Sequence, residues 1–110
     1  MQKFAKINAT SAGSNTIVPA VANKKIRVLA FTALTDANVT IEVLSNTTAI
    51  SGPLPLLASG GMATSIGQLG TGGHGVFGLM ETEAGQALNL NLSTAANVGG
   101  FLTYYLIGQP

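Results

Sequence analysis

The chain has 110 residues, five Lys and Arg against four Asp and Glu, and no cysteine. That length holds one domain with one core, able to bury about two-thirds of its unfolded surface without disulfide or metal. Only 8% of residues are charged, against a norm of about 25%, which excludes a disordered chain, a coiled coil and a salt-bridged helical bundle.

In chain order the pattern is β throughout. The first residues form a short front arm, and residues 8–15 (Asn-Ala-Thr-Ser-Ala-Gly-Ser-Asn) are turn and linker chemistry, so residues 1–15 are set apart from a body of residues 16–110. Residues 16–21 read as a strand interrupted by Pro19, which argues for an edge or a bend. The longest β-branched and aromatic run is 25–35. Strict alternation there puts Ile26, Val28, Ala30, Thr32 and Leu34 on one face and Leu29, Phe31 and Ala33 on the other; both are apolar, so both should be covered. Asp36-Ala37-Asn38 is a turn, and residues 39–43 alternate cleanly. A short strand follows near 48–50, then an extended edge at 52–57 carrying Pro53 and Pro55.

Residues 60–75 are rich in glycine and read as a long loop, with a strand at 76–81 and a turn at Ala84-Gly85-Gln86. The sharpest period-2 signal lies at 88–93. After a turn at 94–97, the final strand at 98–107 sets Leu102, Tyr104 and Leu106 against Phe101, Tyr105 and Ile107. Seven or eight short strands separated by turn signals predict an all-β antiparallel β-sandwich. A jelly roll leads, ahead of an immunoglobulin-like Greek key.

Two strands apolar on both faces carry a consequence. A sheet's outer face normally meets water, so greasy outer faces either cover each other by edge twisting or are covered by a second subunit, and a surface with so few charges favours the second. Leu29, Phe31, Phe101 and Tyr105 are therefore expected at an oligomer interface. A trimer is favoured over a dimer because small jelly rolls often pack around a threefold axis.

The charges are ordered along the chain. Lys3, Lys6, Lys24, Lys25 and Arg27 precede Asp36, Glu42, Glu81 and Glu83. Chance explains this as well as an N-terminal segment lying across an acidic partner or a neighbouring copy. A net charge of +1 is no footprint for nucleic acid. The lysines at the start have no apolar stretch behind them, unlike a secretory signal, and no apolar run approaches the ~18 residues of a membrane helix. No membrane partner is expected, and synthesis in the cytoplasm is.

Few residues can carry chemistry. His74, the single imidazole, lies in Gly70-Thr71-Gly72-Gly73-His74-Gly75 with no second base or nucleophile close by in sequence. The same stretch matches Gly-x-Gly-x-x-Gly formally, but a strand rather than a helix is expected after it. Glu81 and Glu83 read as solvated strand-end charges, or as acceptors for a neighbour's lysines. No enzyme activity, metal or cofactor is expected. Phe101, Tyr104 and Tyr105 allow an alternative, a sugar-stacking platform on a carbohydrate-binding jelly roll.

Four stretches carry a family resemblance: 24–31 (Lys-Lys-Ile-Arg-Val-Leu-Ala-Phe), 52–56 (Gly-Pro-Leu-Pro-Leu), 78–90 (Gly-Leu-Met-Glu-Thr-Glu-Ala-Gly-Gln-Ala-Leu-Asn-Leu) and 98–105 (Val-Gly-Gly-Phe-Leu-Thr-Tyr-Tyr). In them the body, about residues 16–107, resembles small β-sandwich virion proteins of tailed bacteriophages, although a single tyrosine is the more usual ending. The resemblance implies a jelly roll, assembly as trimers, and a place on the outer capsid surface as a decoration or cement protein bound to the major capsid protein. In that setting Lys3, Phe4 and Lys6 are expected to anchor the arm to the shell or to an adjacent trimer, with Phe4 as an apolar plug.

Overall fold

A computed structural model of the protein describes residues 3–64 and 79–108. It contains ten strands: β1 (Lys3–Ala9), β2 (Gly13–Val18), β3 (Lys24–Thr35), β4 (Val39–Ser45), β5 (Thr48–Ala49), β6 (Leu54–Leu56), β7 (Gly61–Ala63), β8 (Met80–Glu81), β9 (Leu88–Leu92) and β10 (Val98–Gly108). The first sheet runs β1-β10-β3-β7, with β8 also on β3; the second runs β2-β9-β4-β5, with β6 also on β4. All pairs are antiparallel and nested: β1 with β10, β2 with β9, β3 with β7 and β8, β4 with β5 and β6. A long ribbon wound so that its paired arms alternate between two sheets is a jelly roll, as the turn spacing predicts.

The core lies between the sheets. Ile7, Ile26, Val28, Phe31, Val98 and Leu102 from the first sheet meet Val39, Ile41, Val43, Leu88, Leu90 and Leu92 from the second. The residues of β4 and β9 follow their period-2 pattern, one face inward and one outward. Short broken strands close one side of the sandwich, where Pro55 sits on β6 as an edge proline should. On the other side β1 and β2 are longer, unbroken by proline, and paired along one edge only.

The front of the chain departs from the sequence reading. Residues 3–15, expected in an arm and linker outside the sandwich, run through β1 and into β2. The reason is packing: Ile7 and Ala9 are inside the core, and β1 holds β10 over seven consecutive pairs. Lys3 and Lys6 obscured this in the sequence, yet lysines are ordinary guards of an edge strand.

A second departure lies in β3. Thr103 of β10 faces Ala30 and Tyr104 faces Val28, so Leu29 is an extra residue with no partner. Such a bulge shifts the side-chain phase by one. Ile26 and Val28 point inward before it, and Phe31, Ala33 and Thr35 point inward after it. Leu29 and Phe31 are only 3% and 5% exposed. Both were expected at an oligomer interface; both are interior.

Between the short edge strands, two threonines complete the hydrogen bonding of β3. Thr82 Oγ1 accepts the Ile26 N–H at 2.9 Å while the Thr82 N–H donates to the Ile26 carbonyl. Thr64 does the same for Phe31. Each supplies an acceptor that a regular strand would have provided.

Candidate functional site

Among the described residues, Phe4, Leu34 and Phe101, three of the exposed large apolar side chains, lie on the outer face of the first sheet, while Leu57 is exposed beyond β6 of the second. Three rows cross the first sheet. Phe4 on β1 faces Thr103 and then Ala30; Lys6 faces Phe101, Thr32 and Ala63; Asn8 faces Gly99, Leu34 and Gly61. Phe4, Phe101 and Leu34 therefore step diagonally over three strands. At about 4.8 Å between strands and about 6.8 Å for two residues along one, the line extends about 16 Å. These three side chains are 76%, 60% and 58% exposed. Leu34 stands proud because glycines occupy both flanking positions in its row.

Further along β10, Tyr105 faces Arg27, and Arg27 faces Glu81. The Glu81 carboxylate accepts from Arg27 Nε at 2.8 Å and lies 3.5 Å from Lys25 Nζ. The strand-end acid thus receives cations of its own chain. At these half-exposed positions such pairs contribute little to stability.

The second sheet's outer face is different in kind. Its rows read Ser14, Asn91, Glu42 and Thr16, Asn89, Leu44. It is polar, with Leu44 itself buried. One sandwich thus has a conventional solvated face and an apolar one.

The fold also sorts the charges. Lys3 and Lys6 lie on β1 and Lys24, Lys25 and Arg27 on β3, all in the first sheet, with Glu81 of β8 as that sheet's acid. Glu42 lies in the second sheet, and Asp36 and Glu83 lie in turns. A sequence pattern that chance explained equally well is a spatial segregation in the fold.

Of the residues singled out from sequence, the structure brings together Phe4, Lys6 and Phe101, which were assigned to two separate surfaces. Tyr105 lies half-buried on the same face, while Lys3, the partner of Tyr104, is exposed at the strand's end in the opposite phase. Tyr104 turns inward against the core. The proposed sugar platform is therefore split: Tyr104 and Tyr105 point to opposite sides, and Phe101 and Tyr105 are about 13 Å apart along the strand. His74 lies outside the described residues. Leu34 was missed, because strict alternation placed it with Ile26 and Val28.

Concave sites offer little chemistry among the described residues. A void of about 20 Å³ inside the core is lined by apolar side chains such as Ile7, Phe31 and Leu102. A shallow dish at one end includes Asp36 and Asn97. There the Asn97 backbone N–H and side-chain amide both donate to the Asp36 carboxylate, at 2.9 and 2.7 Å, and hold its pKa below the usual value. That is a clamp between two turns. No group of three or more potential metal ligands occurs among the described residues, and no helix there is long and apolar enough to cross a membrane. No protein-family model, curated protein or solved structure matches the chain.

Proposed function

We propose that the chain is a structural virion protein of a tailed phage, a decoration or cement protein that forms trimers and binds the outer capsid surface. It acts by surface contact. The observation that carries the reading is the apolar diagonal of Phe4, Phe101 and Leu34 across the outer face of the first sheet. A flat apolar face of this kind is a protein-contact surface in waiting. Its placement on a rigid sheet, not on a loop, limits the ordering cost of binding. The jelly-roll winding and the quoted stretches agree with the family resemblance. A cement of this type adds many contacts across shell junctions, so that linked binding events hold the shell against outward pressure.

The test is light scattering of the purified protein, followed by co-sedimentation with capsid shells. A trimer that pellets with shells supports the reading. A monomer that stays in the supernatant at micromolar concentration overturns it. Single substitutions on the face are a cleaner probe than deletion of the front of the chain, which would remove Ile7 and Ala9 from the core.

A further inference from the structure

We infer that the outer face of the first sheet docks a partner protein whose surface is apolar at its centre and acidic around it, and not a second copy of this chain. The inference rests on the reading of this face as a contact surface and adds the chemistry of what covers it.

Charge decides the occupant. The outer face holds three cations, Lys6, Lys25 and Arg27, and one acid, and that acid, Glu81, is already engaged by Lys25 and Arg27, while Lys3 and Lys24 stand in the opposite phase at the sheet's ends. Lys3, Lys6 and Lys24 have no carboxylate within ion-pair distance among the described residues. Lys6 stands directly opposite Phe101, in the middle of the apolar diagonal. A partner that covers Phe101 must also cover or border that ammonium, and burying it without a counter-charge is costly. The covering surface therefore has to bring carboxylates.

A second copy does not. Two-fold packing of this face on itself brings the cations of one copy against those of the other, with no free acid between them. Head-to-tail packing fares no better. Asp36 is clamped by Asn97 at one end of β3, Glu83 lies beyond the other end, and Glu42 sits on the polar face among Ser14, Asn91 and Thr40. A phosphate-rich partner fits poorly too, because the unpaired lysines do not form a track: Lys3 and Lys6 are on β1, and Lys24 is at the start of β3. The relief also favours a protein. The ridge of Phe4, Phe101 and Leu34 is flanked by the small residues Thr103, Ala30, Gly99 and Gly61, which leave grooves for side chains to enter.

The experiment uses the full chain with two labelled amphipathic peptides of equal length, one of leucine and glutamate and one of leucine and lysine, and with phosphatidylglycerol vesicles. Anisotropy should show the glutamate peptide binding at least tenfold more tightly than the lysine peptide, and weakening as salt rises. Lys6→Glu should erase or invert that preference. Equal binding of both peptides, or an unchanged preference in Lys6→Glu, overturns the inference; so does pelleting with the vesicles when the glutamate peptide does not bind. So does a dimer or trimer in light scattering that dissociates on Phe101→Thr, which would identify a second copy as the occupant. If shells still bind wild type but not Phe101→Thr, while the peptides are not distinguished, the partner chemistry fails alone. If Phe101→Thr binds shells as wild type does, the reading of the face fails with it.

Discussion

Replacing Phe101 by threonine should separate contact from folding. The ring is 60% exposed, and a phenylalanine buries about 200 Å² when fully covered. About 120 Å² therefore remains to be buried by a partner, worth about 3 kcal/mol at about 25 cal/mol per Å². That is a loss of roughly 150-fold in the binding constant. Threonine keeps a strand-compatible side chain, and the whole β-propensity scale spans only about 1 kcal/mol. The part of the ring already covered in the fold, about 80 Å², is worth about 2 kcal/mol by the same measure, so unfolding stability should fall by no more than about 2 kcal/mol. Co-sedimentation with shells, run beside a thermal melt, reads both quantities. Ser14→Thr, on the polar face of the second sheet, is the control and should change neither. Binding within threefold of wild type in a folded Phe101→Thr protein would refute the assignment of this face.

Three further outcomes follow from the fold. Thr82→Val removes the acceptor of the buried Ile26 N–H and should cost about 1–3 kcal/mol in denaturant unfolding, whereas Thr82→Ser, which keeps the oxygen, should cost less; the reverse order contradicts the hydrogen-bond account. Deleting Leu29 leaves Val28, Ala30 and Phe31 in plain alternation, so Ile26, Val28, Phe31 and Ala33 still point inward and keep their partners on β10, and the loss should be that of one buried leucine, about 1.5–3 kcal/mol. The deleted protein should therefore melt close to Leu29→Ala; an unfolded deletion protein would mean that Leu29 is not the extra residue of the bulge. Asp36 has a folded pKa below its unfolded one, so its contribution is present above the unfolded value near 4 and fades as pH falls through the lower folded value. Asp36→Ala should flatten the acid limb of a stability–pH curve below about pH 4 and leave its neutral region parallel to wild type.

Much of the architecture was legible because it rests on local signals. Leu88-Asn89-Leu90-Asn91-Leu92 alternates and is β9; Pro53 and Pro55 mark a segment that became the short edge strand β6. The failures have one physical origin. Whether a short apolar stretch such as Phe4-Ala5-Lys6-Ile7 is an arm or a strand depends on a partner almost the whole chain away, and no local pattern encodes β10. Likewise a single extra residue, Leu29, reverses which side of β3 faces the core, and composition does not mark it. The candidate surface inherited both errors. Phe101 was placed outward and is outward, while Leu34 replaces Leu29 and Phe31 as the exposed apolar member.

The nesting of the strand pairs has a consequence for when the molecule becomes adhesive. Loop-closure entropy lets neighbours in sequence meet first, so β4 with β5 and β6 should zip early, then β3 with its short partners, and the outermost pair last. Phe4 and Phe101 belong to that outermost pair. The sticky diagonal is thus completed only when the winding is finished, and a half-made chain lacks the shape that a partner would grip. Stickiness is in this way conditional on correct folding, a built-in inspection before the protein joins any larger structure.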